Sequence, residues 1–266
     1  MSLLHLTHDL PIWVLAVVVV AAAEIYSLGL MLVTRRIYGV SRLSLNNEVA
    51  GFKFAVVGLF YGVLLAFIVV AVWEDMHTTE AAVRDEAKAV VDLHRLTFAL
   101  PEKGGEEIRQ LLTTYAEHVR EYEWPAMALG ESSTDVNGDL VALSEAVFRI
   151  EPKGERDLAL FQHALGLLTM ITDNRNERLD GAVGSVPKVL WIVLIVGGAV
   201  TLAYPSFFGA TNLGAQVLMT ASLAALVALS LLLALAFNYP FTGGVHISAA
   251  PFDKALQQMP RSLPSH

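Results

Sequence analysis

Residues 46–75 read NNEVAGFKFAVVGLFYGVLLAFIVVAVWED. A polar patch, Asn46, Asn47 and Glu48, precedes a run from Phe54 to Val72 of nineteen residues without a formal charge. A hydrocarbon core about 30 Å thick is crossed by about 20 helical residues, so this run is long enough to span a bilayer. Inside it Gly58, Gly62 and Ala66 recur at every fourth position. This small-xxx-small pattern lets helix backbones approach closely where lipid gives no hydrophobic drive for association. Trp73 closes the run at an interfacial position, followed by Glu74 and Asp75. The stretch predicts a membrane helix built to touch other helices, and the helix that would line the path in a protein that conducts.

The remainder of the chain agrees with a membrane protein. Its 266 residues are 55% hydrophobic and its mean hydropathy is +0.53, with the apolar residues blocked rather than spread. It has no cysteine, which excludes disulfides, thiolate metal sites and cysteine nucleophiles. Residues 74–187 hold 22 acidic and 11 basic residues, a balance that disfavours nucleic acid as a partner. The first apolar run is too long for a signal-peptide core and no basic segment precedes it, so no cleavable signal is expected.

That first run, Leu10 to Val33, predicts the first span, with Pro11 in its opening turn, Trp13 at an interface and Glu24 as its only charge. Arg35, Arg36, Arg42 and Lys53 face Glu48 alone in the loop that follows, which the positive-inside rule places in the cytoplasm. The acidic segment and both termini would then lie outside. From Val189 to Phe252, 64 residues carry no Asp, Glu, Lys or Arg. Pro187 opens a third span over Lys188 to about Tyr204, Pro205 to Asn212 breaks the run, and Leu213 to about Phe237 forms a fourth.

Between the second and third spans, apolar residues follow helical spacing. The stripes are Val83, Ala87, Val90, His94; then Ile108, Leu111, Leu112, Tyr115, Val119, Tyr122; then Leu140, Leu143, Val147, Ile150; and last Leu158, Phe161, Leu165, Leu168, Thr172, Leu179. Breaks fall at Pro101–Gly105, Gly130–Gly138 and Pro152–Gly154. The fold class is therefore an all-α membrane protein: four transmembrane helices with an extramembrane helical bundle inserted between spans two and three. The expected divisions are a first helix pair over 1–75, the bundle over 76–186, a second helix pair over 187–239 and a turn-rich tail over 240–266.

The block at 46–75, EYEWPAM at Glu121 to Met127, RNERL at Arg175 to Leu179, PKVLW at Pro187 to Trp191 and YPFTGG from Tyr239 together resemble a bacterial family of four-span membrane proteins described as bestrophin-like. The resemblance covers roughly residues 40–253. Relatives are expected to carry an acid just before the Pro-Phe pair; here Tyr239 stands there, with Asn238 before it. The resemblance implies an oligomeric anion channel, a pentamer by analogy. Its second span would line a hydrophobic neck and its helical insert would continue the pore on the cytoplasmic side. The basic loop argues for the opposite side.

Phe60, Leu64 and Phe67 share one helical face and are the candidate pore lining, since a ring of such residues can gate by dewetting. They read alternatively as residues that meet lipid or pack on neighbouring helices, as apolar residues in any span do. Gly58, Gly62 and Ala66 are helix-packing positions. Asn46, Asn47 and Glu48 read either as a pore mouth or as a helix cap with its first-turn acid. Glu24 reads as an ion contact or as a protonated or hydrogen-bonded packing residue. Arg175 and Arg178 read as an anion or lipid-headgroup contact, or as surface ion pairs with Asp173, Glu177 or Asp180. The acidic excess of the insert favours cations at a vestibule, against simple transfer of anion selectivity.

His77, His94, His118 and His163 lack metal-ligand spacing, and Glu74–His77 is a lone Glu-x-x-His pair. No metal, cofactor or catalytic residue is expected, and no enzyme activity. The leading reading is a homo-oligomeric ion channel in a bacterial inner membrane, its partners the lipid bilayer, other copies of itself and a permeant inorganic ion. The alternative is a non-conducting sensor or scaffold whose helical insert binds a ligand or partner. A transporter coupled through Glu24 lacks the broken half-helices and inverted repeat that such folds use.

Overall fold

The computed structural model describes residues 11–100 and 102–259, and regular structure among them is helical throughout. Four helical stretches, Ile12–Tyr38, Asn47–Ala99, Glu155–Phe207 and Leu213–Asn238, are long and apolar enough to cross a membrane. The chain divides into two compact units. One comprises the chain up to Glu74 with Ser185–Asn238 and Gly243–Val245; the other comprises Asp75–Gly184, Tyr239–Thr242 and the chain from His246 onward.

In the first unit the opening span is Ile12–Tyr38, and Leu10, expected as its first residue, lies outside the described residues. It continues past Val33 because the next helix breaker is Gly39, whose φ of 74° is a conformation that a side chain disfavours. A five-residue helix, Val40–Ser44, leads to the second span, which opens a single helix of 50 residues, Asn47–Leu96. The third span is Lys188–Ala203, extended by a 3-10 turn at Tyr204–Phe207, and the fourth is Leu213–Asn238.

The fourth span packs on the first, with Ala224 and Ala228 buried in that contact region. Small residues there permit close approach, and hydroxyls supply hydrogen bonds where lipid cannot. The Ser27 hydroxyl donates to the Leu202 carbonyl at 2.8 Å, and that of Thr34 to the Ser206 carbonyl at 2.8 Å. The second span is tied to the third through Tyr61, whose hydroxyl donates to the Leu194 carbonyl at 3.2 Å. Its ring lies on Gly197 and Gly198, where an added Cβ would come within 2.9 and 2.8 Å of it.

The second unit is a helical bundle. It contains the remainder of the Asn47–Leu96 helix, then Glu102–His118, a π turn at Val119–Glu123, Trp124–Met127, Thr134–Phe148 and Glu155–Val183. Ser133 caps the helix at Thr134, its hydroxyl accepting from the Val136 amide, and Gly154 turns the chain with φ 109° before Glu155. Val83, Val90, Ile108, Leu112, Tyr115, Leu143 and Val147 are fully buried.

Three expectations change in this unit. Tyr122 is exposed and Glu123 is buried, because the π turn adds a residue and rotates the following positions. The buried face of Glu155–Val183 runs through Ala164, Leu168, Ile171, Arg175, Arg178 and Ala182; of the expected stripe it keeps Leu168, while Phe161, Leu165 and Leu179 are partly buried at its edge and Leu158 is exposed. The tail is not all turn: Ala250–Gln258 is a helix that buries Phe252 and Ala255.

His94 lies beyond the apolar run of the second span, 1% exposed, with its Nδ1 unpartnered among the described residues and Phe98 edge-on at 5.6 Å. Burial, with the nearby charges of Arg109 and Arg95, lowers its pKa below the ordinary value of 6.5. The unfolded chain therefore binds a proton that the folded chain refuses as pH falls below that value, so stability present at neutral pH is lost on acidification. Thermal unfolding should show a midpoint that drops between pH 7.5 and 5.5, and a His94→Phe variant should show a smaller drop.

Candidate conduction face and buried charge cluster

On the second-span helix, Tyr61, Leu65 and Val72 fall on one side and are buried within the first unit. Phe60 and Phe67 point away from them, 74% and 71% exposed, with Leu64 half-buried beside them. At about 100° per residue, Gly58 and Gly62 lie about 160° from Phe60, on the opposite side of the helix. A Cβ built on either glycine would meet nothing within 4 Å. The small-residue face thus opens onto a groove of about 490 Å³ toward the fourth span, lined by Gly58, Gly62, Ala66, Thr201, Leu226 and Ser230.

The helix start is held differently from the expected cap. Asn46 supplies the carbonyl that accepts the Ala50 amide at 2.8 Å. Asn47 turns its side chain away from its own helix: its Nδ2 donates to the Gly209 carbonyl at 2.9 Å and its Oδ1 accepts from the Gly209 amide at 3.0 Å. This two-way pairing fastens the loop between the third and fourth spans to the second. Gly209 is required by space, since a Cβ there would lie 2.4 Å from the Ser44 nitrogen and 2.6 Å from the Val40 carbonyl. Arg35, expected in the basic loop but placed in the last turn of the first span, joins in, donating to the Ala210 carbonyl at 2.7 Å and to Gln216 at 2.8 Å. An adjacent cavity of about 400 Å³ is lined by Asn47, Phe54, Phe208, Gln216, Met219 and Leu223. Glu48 and Asn46 are exposed.

Glu24 sits half-buried at a shallow groove with Ala16, Val17, Val20 and Ala21, with no hydrogen-bond or ion-pair partner among the described residues. The hydrogen-bonded packing role considered for it is therefore absent within the described chain.

Arg175 and Arg178 are buried rather than at the surface, and neither pairs with Asp173, Glu177 or Asp180. Arg178, fully buried, donates from Nε and Nη2 to both oxygens of Glu86 at 2.7 and 3.0 Å, and from Nη2 to Glu123 at 2.7 Å. Arg175 donates to both oxygens of Glu123 at 3.2 and 2.6 Å. The Tyr115 hydroxyl donates to Glu86 at 2.7 Å; burial, then the Glu86 charge, raises its pKa well above the phenolic value. Trp124 and Phe252 lie 5.4 and 5.8 Å from the Arg178 guanidinium carbon. Two arginines and two glutamates cancel in charge, and forked hydrogen bonds satisfy the buried ions. These guanidiniums are committed inside the bundle, so neither is placed to receive a passing anion.

Spacing in the sequence did not single out Glu86, Glu123 or Phe252. Two signals were present: Glu86 and Glu123 lie on the faces of apolar stripes, and a charge on such a face needs a buried partner. Among the described residues no group of three or more His, Asp or Glu side chains is arranged to hold a metal.

Residues 21–252 match the family model of the bestrophin-like domain. No curated protein matches the chain significantly. A crystal structure of a point variant of a bacterial bestrophin homologue from Klebsiella pneumoniae is similar with a TM-score of 0.69 at 11% identity, covering 92% of this chain and 97% of that one. A zinc-phased structure of a bestrophin homologue from the same organism gives 0.67 at 13% identity, covering 91% and 96%. A structure described only as a membrane protein variant gives 0.69 at 13% identity, covering 91% and 96%. At these identities the likeness is one of fold.

Proposed function

Since this chain belongs to the bestrophin-like family, we propose that it is a homo-oligomeric ion channel whose second span lines the conduction path. It is a multi-pass membrane protein suited to a bacterial inner membrane. The observation that carries the reading is the second span's unshared apolar face. Phe60 and Phe67 are exposed, with no packing role among the described residues, and stand on the helix side opposite Gly58 and Gly62. Around a symmetry axis, copies of Phe60, Leu64 and Phe67 would form stacked apolar rings, and such a constriction gates by dewetting. Anion selectivity belongs to the same proposal through the family resemblance alone. Asn47 belongs to it as a positioning residue that holds the start of the lining helix.

The test is ion flux into liposomes carrying the purified chain, with anion and cation gradients run separately. Wild type should pass one sign of ion, and Phe60→Ala should widen the neck and raise flux about tenfold, as for loss of a barrier of about 1.4 kcal/mol. Flux that collapses only in Glu24→Gln would move the path to the first span. No flux above empty vesicles, from folded oligomer, in both wild type and Phe60→Ala would reject the channel and leave a membrane sensor or scaffold.

A further inference from the structure

The second unit is acidic, yet it gathers cations in one place. Arg84, Lys88 and Arg95 recur at spacings of four and seven along one face of the Asn47–Leu96 helix. Lys254 on the C-terminal helix Ala250–Gln258 faces the same groove, which holds about 410 Å³ and is floored by Val91 and Ala255. Arg84 reaches Glu80 at 2.9 Å; Arg95 lies 3.7 Å from Asp92 and donates to Gln258 at 3.2 Å. Lys88 and Lys254 form no ion pair among the described residues. The groove therefore keeps a net positive charge in a segment whose acids outnumber its bases two to one.

We propose that this groove binds an organic phosphate, with the phosphate oxygens between Lys88 and Lys254 and the organic part on Val91 and Ala255. The volume suits a small organic ligand, for which sites of about 300–1,000 Å³ are usual, and far exceeds a monatomic ion. Two lysines act as point charges toward phosphate, and the arginines add planar donors in reach of a multiply charged group. A single carboxylate would leave most of these cations unmatched. An occupant would also bridge the long helix to the C-terminal helix, so binding would stabilise the fold. The source of the phosphate is either a soluble nucleotide or a phospholipid headgroup, which share this chemistry.

The experiment follows the thermal unfolding midpoint of the full chain in neutral detergent with rising ATP or inorganic pyrophosphate, ionic strength being held with sodium chloride. A parallel arm compares nanodiscs of anionic and zwitterionic phospholipid. The expected result is a saturable rise that a Lys88→Gln/Lys254→Gln variant weakens by about tenfold or more in apparent Kd, while Lys88→Arg/Lys254→Arg retains it. Both lysines are exposed, so the variants should share the wild-type spectrum and midpoint without ligand. A greater gain from ATP than from pyrophosphate supports the role of the apolar floor. A gain from anionic lipid alone, lost in the glutamine variant, assigns the phosphate to a headgroup. No rise beyond matched salt in any arm, or an equal rise in the glutamine variant, overturns the site.

Discussion

Replacing Arg178 with methionine is expected to destabilise the chain by about 3–5 kcal/mol, the range for removing one member of a buried ion pair. The loss is not mainly that of an attraction. With Arg178 gone, Glu86 keeps only the Tyr115 hydroxyl, and its charge stays in the interior of the bundle. Glu123 retains Arg175, so the damage concentrates on one carboxylate. This makes the prediction specific. Glu86→Gln in the Arg178→Met background should recover most of the lost stability, because a neutral amide can still accept from Tyr115. Arg178→Lys should not restore it, since a single ammonium cannot reach two oxygens of Glu86 and one of Glu123 in the forked geometry. Denaturant unfolding followed by far-UV circular dichroism reads all three variants. Equal destabilisation of the single and double variants would mean that packing against Trp124 and Phe252, rather than the stranded charge, sets the cost.

The same cluster marks where sequence reading stops. The four spans were legible because each is a local run whose length and lack of charge answer to bilayer thickness alone. The family resemblance was also legible, and it lay in blocks that turn out to hold the cluster: EYEWPAM contains Glu123 and Trp124, and RNERL contains Arg175 and Arg178. Spacing did not say that these blocks meet. Glu86 and Arg178 are 92 positions apart, whereas Glu177 and Asp180 are neighbours, so local pairing looked sufficient. The π turn hid Glu123 further, since a regular helical period sends Tyr122 inward in its place. Asn47 misled for a similar reason. Its place at a helix start fits a cap, and only the folded loop brings the Gly209 backbone to it. The tail helix escaped because nine residues with an amphipathic face are too short to stand out among prolines and glycines.

Gly58→Leu combined with Gly62→Leu is expected to break the oligomer while leaving each copy folded. Among the described residues neither glycine has a neighbour that a Cβ would touch, so the added side chains start in open space and extend into the groove. Glycine within a helix costs about 0.5–1 kcal/mol relative to alanine, so two such positions without an internal contact call for a reason outside the chain. In the oligomeric reading, that reason is the close approach of a helix from a neighbouring copy. Overpacking a helix contact costs about 1–3 kcal/mol, and a closed ring repeats the cost at each interface. The assembly should therefore lose at least tenfold in association, which 1.4 kcal/mol already gives. Multi-angle light scattering in detergent would report a fall in mass with an unchanged helical spectrum. Gly58→Ala with Gly62→Ala, which adds two methyl groups, should fall between the leucine variant and wild type. A leucine variant that keeps the wild-type mass would assign the groove to lipid instead and place the contacts between copies on other faces. A loss of mass together with flux would tie conduction to the ring, because the Phe60 and Phe67 face is untouched by these substitutions and can act only where several copies surround one axis.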